Sequence, residues 1–163
     1  MPPVVAIIGK KNCGKTTLIE KLIPELIKLG YRVGTIKHHH GAIGMDQPGK
    51  DTWRHKQAGA HAVLLSSPTG LGFIRETRRE IPVPELVDLY FIDVDLVLTE
   101  GYKNEVLPKV EIFRSTIHAE PLPDPGEELI AMVSDVEIDR DIPRFGLDET
   151  RQLAELLVER VLD

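Results

Sequence analysis

Apolar positions follow two spacings along the chain, and each spacing predicts one kind of element. Unbroken apolar or β-branched runs are typical of strands in a parallel sheet. The predicted strands are Val4–Ile8, Tyr31–Lys37, Ala62–Ser66, Leu71–Thr77, Val94–Thr99, Lys109–Phe113 and Leu129–Asp135. Apolar residues three and four apart predict helices. The predicted helices are 15–29, Asp51–Ala58, Pro84–Phe91 and Leu147–Leu162. Strands that alternate with helices indicate an α/β fold, with a mostly parallel central sheet and helices on both faces.

One long segment, His38 to Asp51, has no apolar period. Its sequence, HHHGAIGMDQPGKD, is rich in glycine, and loops of this length in compact domains are usually functional or disordered. The stretch PLPDPGEE (121–128) is typical of a turn-rich connection rather than of a domain linker. With 163 residues and no internal repeat, the chain is predicted to form a single domain, residues 1–163.

Composition and charge exclude several classes of protein. The formal net charge of −6 argues against a general nucleic-acid-binding protein, which needs a basic face. No stretch is apolar for long enough to span a bilayer, and the N-terminus lacks the basic segment of a signal peptide. The one cysteine, Cys13, excludes an internal disulfide and suits a reducing compartment. We therefore expect a cytoplasmic protein with no nucleic-acid or membrane partner.

A phosphate-binding motif joins the first strand to the first helix. The residues GKKNCGKT match the pattern G-x-x-x-x-G-K-[ST], in which the glycines let successive N–H groups turn toward phosphate oxygens. The lysine reaches the β- and γ-phosphates, the following hydroxyl binds Mg²⁺, and the helix N-terminus favours the negative charge. The predicted nucleotide-binding residues here are Gly9, Lys10, Asn12, Cys13, Gly14, Lys15, Thr16 and Thr17. We therefore predict a three-layer P-loop NTPase fold.

An acid at the end of a neighbouring buried strand would complete such a site. Glu100 follows the apolar run LVLT, and ligands of open α/β sheets bind at the carboxyl ends of the strands. We predict Glu100 as the acid that orders Mg²⁺ and attacking water, and Lys15 and Glu100 as the catalytic residues. The alternative is a solvated glutamate at a strand end. Asp93 and Asp95 lie near the other end of that strand, far from the phosphates.

The histidine run is open to two interpretations. Consecutive strand residues point to opposite faces, so three histidines in a regular strand cannot share one metal, although a loop allows it. We favour a switch loop that senses the γ-phosphate, formed by Lys37, His38, His39 and His40. Asp46 is a candidate second Mg²⁺ contact, or a turn residue, since DQPG is a good β-turn sequence.

Two further residues have candidate roles. Asp135 ends a predicted strand and offers a carboxylate for the N1–H and N2–H₂ of guanine. A role in a surface turn or helix cap is the alternative. Cys13 is expected to be a small loop residue whose backbone N–H faces phosphate, rather than a reactive thiol of low pKa.

Four segments together carry a family resemblance: GKKNCGKTTLIEKLIPEL, GYRVGTIKHHH, DQPGKDTWRHKQAGA and LVLTEGYK. Many families share a phosphate loop, but its combination with TIKHHH, PGKDT and EGYK is far more specific. The segments resemble the MobB family, the adapter proteins of molybdopterin-guanine dinucleotide synthesis. The similarity covers most of residues 4–114 and extends to SDVEIDRDIPRFGLDE near the C-terminus.

The resemblance implies a protein that binds GTP with Mg²⁺, is at most a weak GTPase, and forms a homodimer. It also implies a partner, the guanylyltransferase that joins GMP to molybdopterin, with molybdopterin itself as a further candidate ligand. Gly9–Thr17 would be the phosphate cradle, Lys37–Asp51 the nucleotide-responsive loop and Glu100 the acid on the Mg²⁺ side. One departure weakens the case for Asp46 as a metal contact, because GAIGM (41–45) stands where relatives carry an acidic residue.

Two other functions stay open at this point. A small-molecule P-loop kinase would use the same cradle with arginines over the transferred phosphate, which Arg75, Arg78 and Arg79 offer. A nickel metallochaperone-type GTPase is favoured only by the histidine run. Such a protein needs a cluster of metal-binding cysteines or histidines, and the one cysteine lies inside the phosphate loop.

Overall fold

The computed structural model describes residues 1–41 and 44–162. Its strands are β1 (Val4–Ile8), β2 (Val33–Lys37), β3 (Ala62–Ser67), β4 (Gly70–Arg75), β5 (Leu96–Glu100), β6 (Lys109–Phe113), β7 (Leu129–Ser134) and β8 (Arg144–Phe145). Its helices are α1 (Lys15–Lys28), α2 (Asp51–Gln57), α3 (Val83–Tyr90) and α4 (Thr150–Leu157), which continues into a π-helical turn, Val158–Leu162. None of the helices in these described ranges is long and apolar enough to cross a bilayer.

The chain forms two compact units. The first contains residues 1–38 and the chain from residue 84 onward, and the second contains residues 39–83. The first unit is built on a six-stranded sheet in the order β2-β5-β1-β6-β7-β8. Every neighbouring pair in that sheet is parallel, so all six carboxyl ends lie at one edge. This sheet and its helices confirm the predicted α/β architecture.

The main core lies between one face of the sheet and two helices, α1 and α4. Strand positions on this face alternate with positions on the other, as the two-residue period requires. Val5 and Ile7 of β1 face the helices, where Leu22 and Leu26 of α1 are fully buried against them. Leu153 of α4 is also fully buried in this cluster. Burial of this kind stabilises a fold by about 25 cal/mol for each Å² of apolar surface.

The opposite face carries a helix at one side and a polar cluster at the other. Phe91, directly after α3, packs so closely on β2 that a Cβ on Gly34 would lie 2.4 Å from its ring. On β6 the same face presents Glu111, which is 1% exposed. Its carboxylate accepts hydrogen bonds from Arg140 Nη1 at 2.7 Å and from the Leu122 backbone N–H at 2.6 Å. A buried charge needs such partners, and these fix the irregular 121–128 segment to the sheet.

Many element ends differ from the predicted ones by a few residues, and two of the differences have a clear local reason. β2 begins at Val33 rather than Tyr31, because Tyr31 N–H donates to Leu26 O and Gly30 N–H to Ile27 O, closing the end of α1. These two hydrogen bonds, together with a glycine at φ 96°, form the Schellman motif. The C-terminal helix begins at Thr150 rather than Leu147, because the Glu149 N–H donates to Gly146 O and forms a turn directly before α4.

The second unit consists of α2 packed on a two-stranded antiparallel hairpin, β3–β4. Ser67 pairs with Gly70, so Pro68 and Thr69 form the two-residue turn. Between His38 and Lys50, the described residues form turns and bends without helix or strand, as the polar composition predicts. Ala42 and Ile43, part of the predicted nucleotide-responsive loop, lie outside the described residues.

Candidate functional site

The candidate site is the loop between β1 and α1, at the carboxyl edge of the sheet. Gly9, Asn12 and Gly14 have φ angles of 148°, 63° and 102°, which turn the backbone back on itself. Gly9 also lies against β6, where an added Cβ would be 2.4 Å from the Ile112 carbonyl oxygen. The first glycine of the motif therefore meets two requirements, an unusual backbone angle and close approach of a neighbouring strand.

Lys15 begins α1 and folds back over the loop that precedes it. Its Nζ donates to the carbonyl oxygens of Gly9 at 3.0 Å and Lys10 at 2.9 Å. The ammonium is thus held inside the curve of the loop, beside the first N–H groups of the helix, which have no partner within a helix. The arrangement concentrates positive charge at one small region, which suits a phosphate group.

Thr16 and Glu100 are hydrogen-bonded to each other beside the loop. The Thr16 hydroxyl donates to Glu100 Oε2 at 2.9 Å, and Lys37 Nζ lies 3.4 Å from Glu100 Oε1. The parallel register explains the meeting, because Glu100 pairs with Ile7 on one side and with Lys37 on the other. The structure therefore brings together four of the predicted residues, Lys15, Thr16, Lys37 and Glu100, at one strand edge.

The residues next to Glu100 and Lys37 form a second contact at this edge. His38 and Tyr102 stack with ring centroids 4.6 Å apart, and the His38 N–H donates to Glu100 O. The turn that presents Tyr102 has positive φ at both Gly101 (108°) and Tyr102 (58°). Strained non-glycine residues of this kind concentrate at functional sites. His39 and His40 belong to the second unit, so their part in the predicted switch loop stays a prediction.

The remaining loop residues are held by packing and by one neighbouring segment. Cys13 is 1% exposed, and burial raises the pKa of its thiol despite the nearby Lys15 ammonium. Cys13 is therefore a packed residue of the loop rather than a thiol of low pKa, and the contact of its backbone N–H with phosphate stays a prediction. Lys10 Nζ donates to the Glu120 carbonyl oxygen at 2.7 Å, and a ring nitrogen of His118 lies 2.7 Å from the Lys11 carbonyl oxygen. The chain after β6 thus supports the outer side of the loop.

A cleft of about 200 Å³ opens beside the loop, along the first turns of α1. Its loop end is formed by Cys13, Gly14 and Thr17. The rest of its lining comes from α1, from the end of β6 and from the segment after β8, and comprises Leu18, Lys21, Ile112, Arg114, Leu147 and Asp148. The cleft is contiguous with the predicted phosphate site, because Gly14 and Thr17 belong to both.

Asp135 lies directly after β7, and its carboxylate is engaged with the neighbouring strand end. Oδ1 accepts the Ser115 backbone N–H at 2.8 Å, and Oδ2 accepts the Ser115 hydroxyl at 3.1 Å. The hydrogen bond from the Ser115 backbone is the main reason that the pKa of Asp135 is lowered. Asp135 is not among the residues that line the cleft.

Asp46 belongs to the second unit, where it organises the entry to α2. Its Oδ1 accepts the Gln47 N–H at 2.9 Å and the Thr52 hydroxyl at 3.0 Å, and Lys50 N–H closes the following turn onto Gln47 O. This is the turn arrangement that DQPG indicates. Within residues 1–41 and 44–162, no three His, Cys, Asp or Glu side chains are grouped as a metal-binding cluster.

Sequence reasoning missed the cleft residues Lys21, Arg114 and Asp148. Arg114 directly follows a strand predicted with its correct bounds, so the rule that ligands bind at carboxyl strand ends was sufficient to find it. Asp148 follows β8, which has only two residues and carries no detectable period. Lys21 lies on the exposed side of an amphipathic helix, where a lysine is ordinarily a solvated residue.

Comparisons with known proteins agree on one family. Residues 4–135 match the model of a family described as molybdopterin guanine dinucleotide synthesis protein B, MobB. The chain is 35% identical to the molybdopterin-guanine dinucleotide biosynthesis adapter protein of Haemophilus influenzae, over 95% of this chain and 87% of the relative. It is also 35% identical to the protein of that name from Escherichia coli, over 98% of this chain and 93% of the relative.

Solved structures of proteins from this family are also similar to this chain. The crystal structure of a molybdopterin-guanine biosynthesis protein B has a TM-score of 0.76 at 27% identity, and the alignment covers 98% of this chain and 99% of that one. The crystal structure of Bacillus subtilis MobB has a TM-score of 0.75 at 27% identity and covers 98% of both chains.

The position of Gly9 against β6 predicts an unusually costly substitution. Gly9→Ala places a Cβ against the Ile112 carbonyl oxygen. Gly30 also has a positive φ, but its new Cβ would have no atom of residues 1–41 and 44–162 within 4 Å. We expect Gly30→Ala to lose about 1–2 kcal/mol from the backbone angle alone. Gly9→Ala should lose a further ~1–3 kcal/mol from the overpacked contact. Urea unfolding of both variants measures the difference, and equal losses would contradict the close packing of the loop on β6.

Proposed function

Because the chain belongs to the molybdopterin guanine dinucleotide synthesis protein B family, we propose that its phosphate loop binds GTP with Mg²⁺. The protein has the role of an adapter in molybdopterin-guanine dinucleotide biosynthesis. The single observation that supports the proposed ligand best is the joining of Lys15, Thr16 and Glu100 at one strand edge. These are the cation, the hydroxyl and the carboxylate that a triphosphate with its metal needs.

The phosphate end of GTP suits the charges of the loop. Lys15 gives the curve of the loop an ammonium group, and the N-terminus of α1 adds N–H donors and a favourable dipole. Binding would require the ammonium to exchange its two carbonyl partners for phosphate oxygens. The ammonium is the charged donor in both sets of bonds, but phosphate oxygens also carry negative charge, so the Coulomb attraction favours the bound state. The base of the nucleotide is taken to be guanine, since the relatives named above serve synthesis of a guanine dinucleotide.

The Mg²⁺ site is proposed from the donor atoms beside the loop. Mg²⁺ is bound by oxygen ligands and usually keeps several waters, and it would neutralise charge on the β- and γ-phosphates when bound. The Thr16 hydroxyl and the Glu100 carboxylate supply such oxygens 2.9 Å apart. Glu100 is also placed to orient an attacking water, which supports a weak GTPase. Lys37 pairs with the same carboxylate, so the segment that begins at Lys37 would respond to nucleotide.

An adapter acts through a partner, and we propose the guanylyltransferase that joins GMP to molybdopterin. GTP bound at the loop would set the conformation of the segment after Lys37. That segment leads directly into the second unit, residues 39–83. The chemistry of the dinucleotide synthesis then belongs to the partner, and the nucleotide state of this chain regulates the association.

We further propose that the protein is a homodimer that pairs through the hairpin β3–β4. Leu64 lies opposite Phe73, and Leu71 lies opposite Ser66, so the three apolar side chains share one face. Leu64 is 55% exposed and Leu71 is 73% exposed. A two-stranded hairpin is marginally stable alone in water, and exposed apolar patches of this kind mark protein interfaces. If this face packs against the same face of a second copy, each apolar surface covers the other.

The first prediction concerns nucleotide affinity. Lys15→Ala removes the charge-assisted contacts to the phosphates, and a loss of about 3 kcal/mol corresponds to about 100-fold weaker GTP binding. Isothermal titration with GTP in the presence of Mg²⁺ measures the affinity. Lys11→Ala is the control, since its side chain lies on the exposed side of the same loop. GTP affinity unchanged by Lys15→Ala would overturn the assignment of the loop.

The second prediction separates binding from hydrolysis. Glu100→Ala should leave GTP binding within a few-fold, because the phosphate contacts remain, and should lower Mg²⁺-dependent phosphate release by about 10–100-fold. Glu105→Ala, an exposed acid in the same segment, should have no effect on either quantity. A Glu100→Ala variant with wild-type phosphate release would remove this carboxylate from the mechanism.

The third prediction concerns assembly. Leu64→Glu with Leu71→Glu places charge on the proposed hairpin interface and should convert a dimer into a monomer. Ile92→Glu is the matched control, because Ile92 is 84% exposed and lies in the other unit. Sedimentation velocity gives the mass of each form. A hairpin variant that keeps its dimeric mass would place the interface elsewhere.

A further inference from the structure

The cleft beside the phosphate loop has an ordered distribution of charge along its length. At the loop end, Arg114 packs over Gly14, where a Cβ built on the glycine would lie 3.8 Å from Arg114 Cδ. Arg114 Nε is buried and has no hydrogen-bond partner within the described chain, residues 1–41 and 44–162. A buried N–H donor without a partner is costly, so this group is a candidate for contact with a ligand.

The middle of the cleft is apolar. Leu18 of α1, Ile112 of β6 and Leu147 contribute its walls, and Leu18 and Ile112 are 2% and 4% exposed. Binding pockets for small molecules are mostly apolar, with a few placed polar groups that fix orientation. Walls of this kind suit the faces of a flat ring.

The far end of the cleft carries an ion pair, in which the Asp148 side chain is 91% exposed and the Lys21 side chain is 44% exposed. Asp148 lies beside Lys21, which is one helical turn beyond Thr17 on α1, and Lys21 Nζ donates to Asp148 Oδ1 at 2.7 Å. The hydrogen bond from Lys21 lowers the pKa of Asp148, which keeps its carboxylate ionised. A carboxylate has about four acceptor positions, so one bond to Lys21 leaves it able to accept others.

We infer that this cleft is the nucleoside subsite of the protein, and that Asp148 recognises the N1–H and N2–H₂ edge of guanine. The order of groups matches the order along the ligand: a cation beside the phosphates, apolar walls for the base, and an acceptor at its donor edge. Arg114 is positioned to donate to the α-phosphate side. The inference rests on the proposed binding of GTP at the adjoining loop.

The structure favours Asp148 over Asp135 for this role. Both oxygens of Asp135 already accept hydrogen bonds from Ser115, and Asp135 is outside the cleft lining. Asp148 lines the cleft directly. The two residues form a matched pair for mutation, because each is an aspartate after a strand and each can be replaced by asparagine with little change in shape.

The test compares GTP with XTP, in which the 2-amino donor of guanine is replaced by a carbonyl acceptor. Asp148→Asn loses the acceptor for N2–H₂ and gains an amide donor for the xanthine carbonyl. We expect GTP affinity to fall about 10-fold or more and XTP affinity to rise, since one charged hydrogen bond contributes about 1.5–3 kcal/mol. Asp135→Asn should keep the wild-type preference for GTP. Competition binding with both nucleotides on the full chain measures the ratio.

Opposite changes for the two nucleotides distinguish recognition from a structural role. If Asp148→Asn weakens GTP and XTP equally, the residue only supports Lys21, and the inference is wrong. A reversal seen in Asp135→Asn instead would also overturn it. Lys15→Ala is measured in parallel: if that variant binds GTP normally, the proposed function fails. If it loses GTP while Asp148→Asn keeps the wild-type preference, only the nucleoside subsite fails.

Discussion

The parallel pairing of β1 with β5 and β6 is the constraint on which the site depends. It places Glu100 beside Ile7 and, through β5, beside Lys37. It also sets the Ile112 carbonyl oxygen against Gly9, so the loop after β1 starts in close contact with β6. A shift of one residue in this register would reverse the faces of all the side chains. Because burial of the apolar face sets the strand register, it also sets the positions of the polar residues in the site.

The carboxylates of the first unit are of two kinds: some are fully paired within the structure, and others remain accessible to a ligand. Glu111 is fully buried and is satisfied by Arg140 and by the Leu122 backbone, which makes it part of the structure. Asp95 is satisfied by Arg32 at the amino end of β5, at the edge away from the loop. Glu100 and Asp148 instead keep solvent-accessible carboxylates beside cations at the carboxyl edge. The two edges of one sheet thus have different chemistry, as open α/β sheets generally do.

Much of the first unit could be predicted because its signals are local. β1 has the predicted bounds because it is an unbroken apolar run, β6 also has its predicted bounds, and the loop motif is contiguous in the sequence. Glu100 was found because it ends such a run. The cleft was missed because Arg114, Asp148 and Lys21 come from three distant segments, one of which follows a two-residue strand. The sequence pattern also predicted β3 and β4 as strands, but pairing with each other in a separate sheet depends on tertiary contacts that no local period specifies.

Lys15 spans its own loop through the carbonyl oxygens of Gly9 and Lys10, and this has a consequence for the nucleotide-free protein. The two carbonyl oxygens occupy the ammonium in place of phosphate oxygens, so they compete with the ligand for the same positive charge. The measured nucleotide affinity then reflects the difference between the ammonium–carbonyl bonds of the free loop and the ammonium–phosphate bonds of the complex. The stronger the bonds that close the free loop, the weaker the measured affinity. In return, the loop stays preorganised between rounds of binding, so little ordering of the chain is required when a nucleotide arrives.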